Sequence, residues 1–581
     1  MGCRVAGQQL NVAVVTTALS TTIPAGLPIR DVTVDLLVVG SGTGLAAALA
    51  AHDRGLTVLI IEKAPTVGGS TARSGGALWL PASTVLDRDG GGDTVERART
   101  YLDAVVGGTA PAERSAAFLA NVNATVDLLR RMTPMKLFWA KGYADYHPES
   151  AGGSATGRTC ECRPFDLEVL GEYRDRLQPG LLEVDFPMPA TGADYKWLNL
   201  VARLPRRGLP IVVKRLCQGL VGLLLGRHYT AGGQALAAGL FSGVLTAGIP
   251  IWTSSRLSRL ITVDDRVTGA VVDVAGVGVA VTARRGVVLA AGGFDHNMDM
   301  RWKFQSESLA ENQSLGAQTN TGDAIQIAQE SGAATDLMDQ SWWFPAVAPL
   351  PGGEPAVLLA ERSLPGSLIV DHTGRRFVNE AADYMSFGQC LLSRERAGDA
   401  IETMWMVFDQ KYRNSYVFAA ELYPRMPIPK AWYEAGIAHR ADSFHELASK
   451  MGVDRHDFES TMRSYNESSS AGIDFEFGRG ASAYDRYYGD PTVTPNPNLR
   501  PLERGPFYAV KTVLSDLGTC GGLRTDGRAR VLGQDGEAIP GLYAIGNTAA
   551  NAFGATYPGA GATIAQGLVY GYIAAHDAAA G

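Results

Sequence analysis

The sequence predicts an α/β protein: a Rossmann-like nucleotide-binding domain, discontinuous along the chain, with an α+β domain inserted into it. Three observations carry this. A strand, a glycine turn and a helix follow one another from Val34, and a second strand then ends on an acid, Glu62. Another strand running into glycine, Gly541 to Asn547, stands near the C-terminus. Between them, from residue 320 on, the composition turns richer in aromatics and turn formers. The expected divisions are an extension at 1–33, a first nucleotide-domain part at 34–319, an inserted domain at 320–505 and a second part at 506–581.

The first element reads VDLLVVGSGTGLAAALAAHDRGLTVLIIE from Val34 to Glu62. An apolar β-favouring run meets Gly40-Ser41-Gly42-Thr43-Gly44, and an Ala/Leu-rich helix follows to Arg54-Gly55. Gly40 permits the turn and Gly42 lets the backbone approach a pyrophosphate, which the helix N-terminus receives on unpaired N–H groups. Glu62 is placed to accept hydrogen bonds from a ribose. The fingerprint is imperfect, with Leu45 where GxGxxG takes Gly or Ala.

Of 581 residues, 46% are hydrophobic and 68 are glycine, without a collagen-like period, so the chain is globular with many close backbone approaches. A net charge of −7, without any block of like charge, excludes nucleic acid as an expected partner. The six cysteines are scattered and read as reduced thiols; Cys160 and Cys162 lack a second pair to complete a metal site, and no metal is expected. Residues 1–30 make at best a poorly formed signal peptide, since the run Leu10 to Leu19 is broken by threonines. The uncharged run Leu216 to Gly226 is too short to span a bilayer, which takes about 20 residues. Its neighbours Arg206, Arg207, Lys214, Arg215 and Arg227 leave open either a buried helix or peripheral membrane contact through 206–227, on an otherwise cytoplasmic protein.

After Glu62-Lys63 comes Gly68-Gly-Ser-Thr-Ala-Arg-Ser-Gly-Gly76, read as a loop cradling the nucleotide, with Asp93 and Glu96 as a capping box for the next helix. A hairpin turns at Asp264-Asp265, and a buried strand to Leu289 brings Ala290-Ala291-Gly292-Gly293 back to the nucleotide. Asn320 to Asp323 opens a helix, a second hairpin is expected over Leu368 to Phe377, and Trp342-Trp343-Phe344 either walls an apolar slot or fills a core.

Together the glycine turn, Glu62-Lys63, GGSTARSGG, AAGGF, NTGD, GRRFVNE and YAIGN…TYPGAG resemble the flavoprotein superfamily of fumarate reductases, succinate dehydrogenases and 3-ketosteroid dehydrogenases, over residues 34–578. DYHPE at Asp145 to Glu149, NEAADY, SAYDRYYGDP at Ser482 to Pro491 and SDLGT at Ser515 to Thr519 resemble the 3-ketosteroid Δ1-dehydrogenases in particular. One position divides the branches: four residues after Glu380, where fumarate-reducing members carry arginine, this chain has Tyr384.

The resemblance implies FAD, held non-covalently because GGSTARSGG has no counterpart of the flavin-tethering histidine. It implies a cofactor set of Gly40, Ser41, Gly42, Thr43, Gly44, Glu62, Lys63, Gly69, Ser70, Thr71, Ser74, Gly75, Ala291, Gly292, Asp323, Gly546, Asn547, Thr563 and Ile564. It also implies desaturation of a 3-ketosteroid A ring, with the Tyr557 hydroxyl and Gly561 N–H on the C3 oxygen and Tyr384, helped by Tyr146, as base for the C2 proton. A quinone or electron carrier is the expected electron acceptor. Ala560, where the family pattern has proline, loosens the placement of Gly561, so Δ4 chemistry on 5α-steroids, or flavin-dependent reduction of another activated double bond, stays open. An electron-carrier subunit is the reading from a different class, and it has no use for Tyr384 and Tyr557.

Overall fold

The computed structural model describes residues 32–181, 187–310 and 313–581. The extension expected over 1–33 lies outside them except for Val32 and Thr33, which open the first strand. The elements that shape the site are, in chain order, β1 (Val32–Val39), α1 (Gly44–Asp53), β2 (Val58–Ile61), α2 (Gly69–Arg73), α3 (Pro205–Leu224), β3 (Val277–Leu289), α4 (Tyr384–Arg396), β4 (Phe507–Thr519) and α5 (Ala562–Ala580).

A sheet of eight strands carries the nucleotide domain, ordered Arg530–Leu532, Ala538–Ala544, β3, β1, β2, Ile251–Trp252. Its centre is parallel, with β1 between β2 and β3 and the far C-terminal strand Ala538–Ala544 beside β3. The discontinuity expected from Gly541 to Asn547 is therefore present. β2 and the Leu36–Val39 end of β1 are apolar and buried because both faces are covered, as parallel strands require. α1 is alanine-rich for a packing reason: Gly44 to Ala51 are all buried, between the sheet and α5. The hairpin at Asp264-Asp265 forms with both residues at positive φ (49° and 59°), joining Ser255–Val263 to Arg266–Val274.

The second sheet has six strands and is antiparallel, with β4 bonded to Ser341–Val347, Met404–Asp409 and Ala438–Ala441. β4 lies beyond residue 505, so this sheet runs across the expected boundary and its central strand follows the insertion's expected end. At the other end, the helix Asp323–Glu330 buries Ala324, Ile325 and Ala328 in the core shared by β1 and β3.

Three local expectations need correction. Gly69–Arg73 is a short helix, not a loop, entered through Gly68 at φ +120°. The capping box fails: Thr94 caps the helix Val95–Val106 by accepting from the Arg97 N–H, while Asp93 is drawn to the buried Arg158 guanidinium. The turn at His372 to Gly374 closes, with the Gly374 N–H on the Asp371 carbonyl, but no return strand follows. Arg376 is pulled into ion pairs with Glu380 and Asp474, and Ser367–Val370 pairs with Met404–Asp409 instead.

Candidate active site

A single cavity of about 1160 Å³ runs from the glycine turn after β1, past α2, to a group of tyrosines and on to α3. Its walls follow from backbone that tolerates no side chain. Gly40 has φ +103° and a Cβ there would lie 2.2 Å from the Ala290 carbonyl oxygen; at Gly292 (φ +77°) it would lie 2.2 Å from Asn320 Oδ1. Every expected cofactor residue lines the cavity except Gly44. Gly44 is buried instead against Val38 and Ala290, where a Cβ would come within 2.9 Å of Val38 Cγ1, so its work is to let α1 pack on β1.

Several expected contacts are already committed within the chain. Glu62 Oε2 accepts from the Ser41 N–H (2.9 Å) and hydroxyl (2.7 Å), and Oε1 from the Ala64 N–H (2.8 Å), so the carboxylate pins the glycine turn to the exit of β2. Lys63 and Asp323, both assigned to the cofactor, form an ion pair with each other (2.9 Å). Ser70 Oγ accepts from the Ala317 N–H and Asn320 Nδ2, fixing α2 against the loop before Asp323. Asn547 Oδ1 accepts from Trp342 Nε1 and Thr563 Oγ1, each at 3.1 Å.

Beyond the cradle, Tyr146, Tyr384 and Tyr557 come together from a loop, the first turn of α4 and the turn before α5. The Tyr146 ring stands edge-on to both others, 5.5 Å from Tyr384 and 5.0 Å from Tyr557 between centroids. Burial pushes the Tyr384 phenol up, opposed by Arg362 and by the hydroxyls of Tyr143, Tyr484 and Tyr146. Burial also raises Tyr557, against the backbone N–H groups of Gly561 and Thr563, which face its oxygen. Gly561, at φ +87°, caps α5 and presses on the Ala77 backbone.

Tyr143, Tyr484, Tyr488 and Arg362 were not among the expected site residues. Tyr484 and Tyr488 stand in the SAYDRYYGDP stretch and had a signal in the sequence; Tyr143 and Arg362 had none. Trp342 packs its ring 4.6 Å from Tyr557, while Trp343 and Phe344 are core, so the cluster supports the site from behind. Cys160 and Cys162 are buried, and burial pushes the Cys162 thiol up to about 12.

The family of FAD binding domains matches residues 35–564. The chain is 43% identical to a 3-oxosteroid 1-dehydrogenase of Mycolicibacterium smegmatis over 94% of its own length and 97% of the relative's. The chain belongs to this FAD-binding dehydrogenase family. A second member, a 4-oxocyclohex-2-ene-1-carboxylate 5-dehydrogenase of Sinomonas cyclohexanicum, shares 34% identity over 95% of this chain and 94% of that one. The crystal structure of 3-ketosteroid delta1-dehydrogenase from Sterolibacterium denitrificans, in complex with 1,4-androstadiene-3,17-dione, superposes with TM-score 0.89 at 35% identity, covering 94% of this chain and 99% of that one. The protein is thus an FAD-dependent oxidoreductase, and its glycine cradle fits that group: the turn at Gly40 closes only without a Cβ, and the cap residue of α1, Thr43, makes no side-chain hydrogen bond to the helix amides.

Proposed function

We propose that this flavoenzyme desaturates the A ring of a 3-ketosteroid between C1 and C2, with Tyr146, Tyr384, Tyr557 and Gly561 as its catalytic residues. One observation carries the reading: Tyr146 joins the base candidate Tyr384 to the donor candidate Tyr557 inside the cavity that also holds the nucleotide cradle. FAD, held non-covalently by Gly40 to Thr43, α2, Gly292 and Gly546-Asn547, supplies the two-electron acceptor for the C1 hydrogen. The chain's own residues do the rest. The Tyr557 hydroxyl and the Gly561 amide, which faces its oxygen, both donate to the C3 oxygen and make the C2 hydrogen acidic. Tyr384 receives that proton. Apolar residues on the α3 side, among them Met188, Leu198, Val212 and Leu216, suit a sterol body.

The test is anaerobic mixing of the FAD-loaded protein with androst-4-ene-3,17-dione. Flavin bleaching with a 1,4-diene product is expected. Bleaching only with a 5α-saturated 3-ketosteroid would move the reading to Δ4 chemistry, and silence with both would overturn the substrate class.

We place the protein on the cytoplasmic side of a membrane that supplies both the steroid and a quinone or other electron carrier. Among the described residues no helix is long and apolar enough to cross a membrane. α3 supports a peripheral contact: Val213 (57% exposed), Leu220, Leu224 (86%) and the following Leu225 face out beside exposed Arg206, Arg207 and Lys214, while Val212 and Leu216 of the same helix line the cavity. Exposed apolar side chains among cations fit an anionic lipid surface. Flotation with phosphatidylglycerol-containing vesicles, weaker with phosphatidylcholine alone and lost in Leu220→Gln/Leu224→Gln, is expected. Flotation unchanged by that variant, or no flotation, would refute the contact. Concentration-dependent dimerisation lost in the variant would assign the face to a second copy.

A further inference from the structure

Buried arginines in this fold are generally matched by carboxylates. Arg158 pairs with Asp93 and Asp145, Arg301 with Asp516, Arg376 with Glu380 and Asp474, and Arg479 with Glu380. Arg362 is 1% exposed and makes no ion pair among the described residues. Its Nη1 donates to the carbonyls of Glu380 and Ala382, just before Tyr384, while Nε and Nη2 have no hydrogen-bond partner. Arg114 and Arg413 also lack a carboxylate, but each leaves only Nε unbonded. A buried cation without a carboxylate in direct contact is costly. The Asp485 carboxylate feels Arg362 only at longer range and is bonded to Asn379 Nδ2 and the Gly480 N–H, while the guanidinium carbon lies 5.0 Å from the centre of the Tyr384 ring. The Tyr384 hydroxyl is itself buried without a well-formed hydrogen bond.

We propose that Arg362 is a positioning residue whose missing counter-ion is the phenolate that Tyr384 becomes when it serves as base. The inference rests on the reading of Tyr384 as base. The phenolate forms by losing its hydroxyl proton to solvent and becomes a phenol again by taking the C2 proton, so the step needs no further reactant. Among the described residues Arg362 is the charge that acts most on Tyr384, and it works with the hydroxyls of Tyr143, Tyr484 and Tyr146 against burial. The groups that feel Tyr384 itself include the phenols Tyr195, Tyr487, Tyr488 and Tyr557. Two buried carboxyls stand behind them, Glu361, bonded to the Tyr195 hydroxyl and pushed up to about 7 by burial, and Asp485, facing Arg362. Asp383 precedes Tyr384 but caps α4 through the Ser386 N–H.

The experiment is single-turnover flavin bleaching by saturating androst-4-ene-3,17-dione as a function of pH, in Arg362→Gln, Arg362→Met, Arg362→Lys and Tyr384→Phe. A unit charge at about 6 Å in a medium of effective dielectric about 20 moves a pKa by about 2 units at most, so the rising limb should move up by one to two pH units in the uncharged variants. The rate at pH 8 then falls about ten- to a hundredfold, with FAD content and steroid affinity unchanged, and lysine restores most of it. Arg362→Met keeps the length of the side chain and carries the test if the glutamine variant does not fold. A limb superimposable on the wild type, or an equal loss at every pH, would overturn the proposal. Tyr384→Phe separates the two readings: if it keeps the wild-type limb, Tyr384 is not the base; if it abolishes the limb while Arg362→Gln leaves it in place, only the role of Arg362 fails.

Discussion

Gly561→Ala tests whether the turn before α5 holds a hydrogen-bond donor to the ketone. An alanine held at the φ of +87° costs about 1–2 kcal/mol on its own. The new Cβ would lie 2.2 Å from the carbonyl carbon and oxygen of Ala77 and 2.4 Å from the Leu78 N. These are backbone atoms, so no rotamer change relieves the contact. The turn from Tyr557 to Gly561 must retreat, and a displacement of about 1 Å is of the size that costs about a hundredfold in rate. Losing the donor outright costs about 10²–10³-fold, or about 3–4 kcal/mol. The assay is the rate of flavin bleaching by steroid under anaerobic conditions, with bound FAD measured by absorbance. A hundred- to thousandfold fall with FAD retained is expected. A rate within a few-fold of the wild type would refute the placement of the Gly561 amide, because the backbone cannot both move and keep its donor in place.

Other consequences can be checked separately. Burial pushes the Glu161 carboxyl up to about 7 from an ordinary 4.5. The folded pKa is the higher one, so this group costs stability as pH rises from 4.5 through 7; Glu161→Gln should raise stability at pH 8 by up to about 3 kcal/mol and leave it unchanged at pH 4.5, and equal urea midpoint shifts at both pH values would refute the account. Asp323→Asn removes the partner of Lys63 from a pair that is 25–30% exposed, so FAD affinity should weaken by no more than about tenfold; equilibrium titration showing a loss above about a hundredfold would mean that Asp323 binds the nucleotide directly. In the wild type, the bleaching rate should rise about tenfold per pH unit and show no plateau below pH 10, since burial lifts Tyr384 above its ordinary 10. A rate flat from neutral to alkaline pH, with chemistry limiting, would count against Tyr384 as base.

What could be read along the chain was whatever depends on neighbours in sequence. Gly40 to Gly44 fix a strand-turn-helix because φ above zero and close backbone approach are local demands, and Glu62 follows in register because the connecting helix has a set length. The return of Gly541 to Asn547 was legible for the same reason. Tyr384 and Tyr557 could be singled out only through the motifs around them, since nothing local distinguishes a reactive phenol from a packed one.

The tertiary structure decided everything that turns on competition for a partner. Asp93 had the sequence of a capping residue, but the buried Arg158 cation offered it more than a helix amide could. Arg376 left its hairpin for two carboxylates, one of them far along the chain at Asp474. Residues 507–519 read as the start of the nucleotide domain's return, but their hydrogen bonds go to the inserted sheet. Arg362 gave no sign in the sequence because its distinction is a missing counter-ion. Whether a charge is paired depends on which distant carboxylates the fold brings near it, and the order of residues along a chain does not contain those distances.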